Sequence, residues 1–284
     1  MSDKGSGINN KQDSEKLKKR IVDEKNSESY SDMIMVEGDR SSIKKPLIVN
    51  VDAETLVAKT QERFSRALER RYQFESNLKL AQEFLLNHVN SKIPLVIMYA
   101  DLVGSTKMSM TLPVEKMVTI IRGFSYEMSN IIHSHEGYAL KYVGDAVIAF
   151  FPFIHNKSLT CNKAIECAKL MITVIKKGIS PILNQHDYPD LQVKIGLDEG
   201  ESVIIQHGHD ESSHIDILGF SMNKSAKITS LTYPNTITIG EDIYSDLNPQ
   251  MKMEFNEVKF SIEHWKYLNN QTGELYKLYV CRDI

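Results

Sequence analysis

From Ile93 onward the apolar residues change period repeatedly, and that alternation fixes the class of fold. Residues 95–100 form an unbroken apolar run too short for a helix, which reads as a buried strand. Pro113 opens a helical stripe of Val114, Met117, Val118, Ile121, Phe124, Met128, Ile131 and Ile132, closed by Gly137. Residues 138–142 and 146–151 are strand-like, joined by Val143-Gly144-Asp145 as a tight hairpin. Residues 159–175 return to helical period. Residues 191–197 alternate as a half-buried strand, and 202–206 follow as strand across Glu199-Gly200. Residues 217–231 fit a helix, 236–239 a strand, and the C-terminal residues more strand. The order β-α-β-β-α-β predicts an α+β fold: a ferredoxin-like (split βαβ) antiparallel sheet with helices on one face, followed by extra elements.

The N-terminal third reads differently. Residues 52–90 contain no Pro or Gly. Ala53, Val57, Thr60, Phe64, Ala67, Arg71, Phe74, Leu78, Ala81, Leu85 and His88 keep four-three spacing. This predicts one long helix and, within 47–92, a coiled-coil dimerisation segment; a helix packed on its own domain is the alternative. Residues 1–46 carry eight serines and one aromatic, Tyr30, and are expected to be disordered. With 284 residues, the chain suits one or two domains and buries a core without disulfides. Its net charge of −3 argues against a nucleic-acid partner. No apolar run approaches the ~20 residues of a membrane span, and no signal core opens the chain, so a cytoplasmic protein is expected. Cys161, Cys167 and Cys281 read as buried thiols.

Three constellations carry chemistry. Asp101 ends an apolar strand ahead of Leu102-Val103-Gly104-Ser105-Thr106. Alone it reads equally as a turn cap. A carboxylate there can also hold a divalent cation, while the amides of Gly104, Ser105 and Thr106 can face phosphate oxygens. Asp145 lies in the hairpin, where aspartate is a common turn residue. A ferredoxin-like sheet brings the end of its first strand to the hairpin tip, so the two carboxylates together suit Mg²⁺ or Mn²⁺. In the segment Asp216–Lys227, Asn223 and Lys227 are i, i+4 and share a helix face, which is either solvated or grips sugar and phosphate. The group His207, His209 and His214 reads as a polar hairpin loop rather than a zinc site.

Tyr99-Ala100-Asp101-Leu102-Val103-Gly104-Ser105-Thr106 resembles the first metal motif of class III nucleotidyl cyclases, and Gly137–Ala146 resembles their second. Val193-Lys194-Ile195-Gly196-Leu197 resembles a strand of that family, and Asp216 to Lys227 its D-x-x-G-x-x-V-N-x-x-x-R segment. The likeness covers residues 93–284, which are expected to be a cyclase catalytic domain. It implies an adenylate cyclase that makes cyclic AMP and pyrophosphate from ATP. It implies a metal site of Asp101, Leu102 and Asp145 holding two Mg²⁺ or Mn²⁺ ions. Lys141 and Asp216 would read adenine, Lys141 donating to N1 and Asp216 accepting from the exocyclic amine. Asn223 would orient the ribose, and position 227 would stabilise the α-phosphate. The family builds its sites across a head-to-tail homodimer, metal aspartates from one subunit and base readers with Asn223 from the other.

The sequence departs from the family where Met222 replaces Val and Lys227 replaces Arg; a lysine keeps the charge but not the planar fork. Lys266 and Lys277 are candidates for the triphosphate. A diguanylate cyclase is disfavoured, because Val143-Gly144-Asp145-Ala146-Val147 lacks the Gly-Gly-Asp/Glu-Glu-Phe hairpin. The alternative from another class is a catalytically weak nucleotide-sensing or dimerisation module.

Overall fold

The protein is described by a computed structural model covering residues 52–74, 78–154, 156–208 and 213–282. The tail expected to be disordered, 1–46, lies outside them. In chain order the elements begin with α1 (Ala53–Leu68), α2 (Lys79–Leu86), β1 (Lys92–Val103), α3 (Ser105–Thr111), α4 (Val114–Ser134), β2 (Tyr138–Val143) and β3 (Ala146–Pro152). They continue with α5 (Lys157–Val174), a π-helical turn at Ile175–Ile179, α6 (Ser180–Asn184), β4 (Gln192–His207) and β5 (His214–Gly219). The chain ends through α7 (Phe220–Leu231), β6 (Thr236–Gly240), α8 (Glu241–Asp246), α9 (Pro249–Lys252), β7 (Asn256–Val258) and β8 (Leu278–Cys281).

One sheet holds all the strands, in the order β2-β3-β1-β4-β6-β8-β7, with β5 paired to β4 off this path. The first four of these form the expected split βαβ core: β1 runs antiparallel between β3 and β4. Only β4 and β6 pair in parallel. The β2–β3 hairpin closes on Gly144 and Asp145, with Val143 opposite Ala146. Gly144 has φ +62°, the left-handed conformation that favours glycine at the first central position of such a turn.

Burial explains why residues 95–100 are apolar without interruption. Val96, Met98 and Ala100 face a large core with Phe64 of α1, Phe124 and Met128 of α4, and Ile165 and Ile172 of α5. Leu95 and Ile97 face a second core with Ala81, Phe84 and Leu85 of α2, Tyr138, Phe150 and Ile217. The sheet is therefore covered on both sides, where helices on one face were expected.

The single helix expected over 52–90 is two helices. Arg70 adopts φ +63°, its N–H bonds the Ala67 carbonyl and the Arg71 N–H bonds the Arg66 carbonyl. That pair of bonds is a Schellman stop, and it needs no glycine in the sequence. The seam residues Thr60, Phe64, Ala67, Ala81 and Leu85 are buried in the chain's own domain. The heptad pattern therefore reports inward packing of two helices, not a continuous coiled-coil face.

Three smaller expectations also change. Helix α4 ends with Glu136 at φ +64°, whereas Gly137 is needed because a Cβ there would lie 2.4 Å from the Phe151 ring. Strand β4 continues through Glu199-Gly200 rather than breaking there. The helix expected from 217 starts at Phe220, so residues 217–219 belong to β5.

Helix α1 is fastened to α4 by a buried ion pair. Glu127 is fully buried; Arg63 donates to both its oxygens at 2.6 Å, and Thr60 donates to Oε2 at 2.9 Å. Removing one partner of such a pair leaves an uncompensated charge. Arg63→Ala is expected to cost about 3 kcal/mol, the low end of the range for buried pairs because Arg63 is partly exposed. Urea unfolding measures this, and a loss within 0.5 kcal/mol, about the scale of surface substitutions, would show that Glu127 is re-solvated in the variant.

Candidate active site

From Tyr99 onward one face of β1 is only half-buried, and Asp101 lies on that face. In β1 it stands opposite Ala146 of β3 and Lys194 of β4. Asp145, at the hairpin tip, is the residue before Ala146, so the register brings the two carboxylates together as expected. Burial pushes the Asp101 carboxyl above its ordinary pKa, the Asp145 charge pushes it further, and Lys194 pulls it down. A half-buried carboxylate beside a second carboxylate is a hard-oxygen pair of the kind that suits a divalent cation. Leu102 is buried in the main core, so its side chain anchors the strand end. Gly104, at φ +80°, caps α3, which begins at Ser105. Gly104 and Thr106 are exposed and Ser105 half-buried, directly after the strand end.

The second pair lies on β2 and β5. Lys141 Nζ contacts Asp216 Oδ2 at 2.5 Å, and the Ile217 N–H donates to Oδ1 at 2.9 Å. Both side chains are partly exposed, at 29% and 19%. Tyr99 connects this pair to the first. It lies two residues before Asp101, hence on the same face of β1. Burial first, then the Asp216 charge, raises its phenol pKa. Tyr99 and Lys194 carry no role in the sequence reading; strand register and electrostatics place Lys194 beside Asp101 and Tyr99 near Asp216.

Asn223 is exposed and Lys227 half-buried on α7. Among the described residues no hydrogen bond or ion pair joins either to Asp101, Asp145, Lys141 or Asp216. One chain therefore presents two separate polar pairs and a helix face. Lys266 and Lys277 are both exposed between β7 and β8, and the Lys277 N–H donates to Glu241 Oε2 at 3.1 Å. His207 and His214 face each other across the β4–β5 ladder with rings 6.4 Å apart, while His209 lies outside the described residues. No cluster of three metal-binding side chains occurs among the described residues. The three cysteines are buried thiols, as expected. Among the described residues no helix is long and apolar enough to cross a membrane.

Fold and site together define a class III nucleotide cyclase domain. Residues 88–267 match the adenylate and guanylate cyclase catalytic domain family, and the chain belongs to that family. It is 28% identical over 179 residues to a cytidylate cyclase of Escherichia coli, covering 61% of this chain and 40% of that protein. It is 27% identical over 180 residues to a uridylate cyclase of Burkholderia cepacia, covering 63% of this chain and 77% of that protein. The chain thus spans well under half the length of the cytidylate cyclase. Its fold resembles the crystal structure of the guanylyl cyclase Cya2 with a TM-score of 0.56 and 18% identity, covering 68% of this chain and 93% of that one.

The electrostatic coupling of the two aspartates is directly testable. Asp145→Asn removes the like charge beside Asp101, so the Asp101 carboxyl should titrate at lower pH than in the parent. Carboxyl-carbon NMR of the metal-free protein reads this, and an unchanged titration would show that the two side chains do not sense each other.

Proposed function

We propose that the domain is an adenylate cyclase, converting ATP to 3′,5′-cyclic AMP and pyrophosphate in sites shared across a homodimer. The contact between Lys141 and Asp216 carries this reading. A cationic donor beside a carboxylate acceptor matches a base edge with a ring-nitrogen acceptor beside an exocyclic amine. Adenine presents that edge. Guanine and uracil present a ring N–H beside a carbonyl oxygen, which would set donor against Lys141 and acceptor against Asp216. A site built to bond one edge rejects the other because its polar groups go unpaired.

Cytosine shares adenine's edge, since N4 is an amine and N3 an acceptor. The likeness to a cytidylate cyclase favours CTP as the second reading. The likeness to a uridylate cyclase fits the pair less well, because uracil reverses both hydrogen bonds.

The division into separate pairs on one chain suits a composite site. Asp101 and Asp145 of one subunit would hold the cations, with Gly104, Ser105 and Thr106 offering amides to the triphosphate. Lys141, Asp216, Asn223 and Lys227 of the other would hold base, ribose and α-phosphate. Asp101 and Asp145 would hold Mg²⁺ or Mn²⁺, two per site, which would supply activation of the ribose 3′-hydroxyl and neutralisation of the departing pyrophosphate. The protein's own share is alignment: base and ribose contacts hold the 3′-hydroxyl in line with the α-phosphate.

Purified protein with each of the four nucleoside triphosphates and Mn²⁺ should yield cyclic AMP, with cyclic GMP and cyclic UMP at least about 100-fold lower. Cyclic CMP as the main product would install the second reading. GTP or UTP turned over as fast as ATP would remove Lys141 and Asp216 as base readers. Nucleotide binding without any cyclic product would leave a sensing module.

Asp101→Ala and Asn223→Ala chains should each be inactive and should recover activity when mixed, because one of the heterodimer's two sites is then intact. A mixture proven to exchange subunits yet still inactive would rule out sharing. Lys227→Arg should raise turnover several-fold with little change in ATP affinity, because a guanidinium forms two directed bonds to phosphate where an ammonium forms one. Lys227→Ala should lower turnover by about 100-fold or less. Parental turnover in both variants would assign Lys227 to the solvated face.

A further inference from the structure

Helix α7 bears Asn223 and Lys227 on its outer side, and its inner side is unusually polar. Lys224, between them in the chain, is only 6% exposed. Its Nζ lies 2.6 Å from Oδ2 of the fully buried Asp198 on β4, and 3.2 Å from Oδ2 of Asp242 on α8. It also sits 4.0 Å from the centre of the Tyr276 ring. The Tyr276 hydroxyl donates to Asp198 Oδ1 at 2.8 Å and accepts from the Asp242 N–H at 3.1 Å. The Glu199 N–H donates to the same Oδ1 at 2.9 Å. Asp198 thus gathers β4, α7, α8 and the segment before β8 around one carboxylate.

A buried ion pair is a poor source of net stability, because desolvating two charges offsets most of their attraction. Its distinctive effect is geometric: a charge with fixed partners admits one placement, where an apolar face slides. We infer that Asp198, Lys224 and Tyr276 are positioning residues that set the rotation of α7, and through it the placement of Asn223 and Lys227 in the active site. This deepens the cyclase reading and rests on it.

The leverage is large. Side-chain tips lie about 5–6 Å from a helix axis, so a rotation of about 10° moves them by about 1 Å. A misplacement of about 1 Å can cost about 100-fold in rate. The remaining inner contacts of α7 carry no charge: Ile228 is buried and Thr229 packs closely on Gly196 of β4. Ser225 Oγ donates to the Ile97 carbonyl at 3.1 Å, and Ser221 meets Ser202 at 3.0 Å. Both serine contacts are neutral single bonds, so the ion pair is the charged restraint on the inner side of the helix.

The double variant Asp198→Asn, Lys224→Met separates placement from stability. It keeps shape and volume, leaves no buried charge unpaired, and should melt within a few degrees of the parent. Its kcat for the nucleotide that the parent cyclises should nevertheless fall at least about 10-fold, with KM within about three-fold, because ground-state contacts survive and transition-state alignment does not. Tyr276→Phe removes one hydroxyl only and should lower kcat in the same direction by a smaller factor, so the inference remains testable if the double variant does not fold. Parental kcat in a folded double variant, or in Tyr276→Phe should the double variant not fold, would overturn it and assign the network to stability alone. A parent that makes no cyclic product from any nucleotide overturns the cyclase reading and this inference with it. An active parent with an insensitive network overturns the inference only.

Discussion

The central constraint is that β1 is buried on both faces over residues 95–98, while the face that bears Tyr99 and Asp101 opens toward its C-terminal end. Helices α1, α4 and α5 cover one side of it, and α2 with part of α7 covers the other. A strand so enclosed has no freedom to shift register, since a slip by one residue would exchange its two apolar faces. Asp101 therefore leaves the core at a fixed point, opposite Ala146 and beside Asp145. The desolvation that makes the strand rigid also raises the cost of ionising Asp101. A cation relieves that cost, so the packing of β1 and the chemistry proposed at its end have one physical origin.

The same rigidity carries to the other half of the site. Tyr99 shares a face of β1 with Asp101 and lies close enough to Asp216 for that charge to raise its phenol pKa. Strand β4 pairs with β1 over Gln192–Val203 and with β5 over Ser202–His207, so the position of Asp216 on β5 follows from the register of β1. The two polar pairs, Asp101–Asp145 and Lys141–Asp216, are thus held by one sheet. Only α7 stands outside this ladder, and it is fastened to β4 through Lys224 and Asp198.

These layers differ in how much of them the sequence discloses. β1, the β2–β3 hairpin and the Asp101–Asp145 encounter are legible, because unbroken apolar runs and a glycine turn signal have few readings. The N-terminal helices are not. Four-three spacing marks any helix with one apolar face, and the stop at Arg70 uses a left-handed arginine where a glycine would have announced it. Gly200 misleads in the opposite sense, reading as a turn where β4 runs straight on. Lys224 is the least legible of all. It sits in a helix beside Asn223 as an ordinary solvated lysine would, and its burial depends on Asp198 and Tyr276, 26 and 52 positions away in the chain.

That hidden lysine bears on the visible departure at position 227. Arginine carries its own geometry, since a planar fork aligns itself on phosphate oxygens wherever the helix lies within its reach. Lysine is a point charge on a flexible stem and aligns nothing, so any precision in its contact must come from the backbone that bears it. A site that uses Lys227 at the α-phosphate thus depends more on the rotation of α7 than one that uses arginine. The ion pair beneath α7 supplies that kind of restraint, three residues before Lys227 and one after Asn223. On this argument the two features are coupled: a lysine at the α-phosphate would be tolerable because its helix is held by charge as well as by apolar packing.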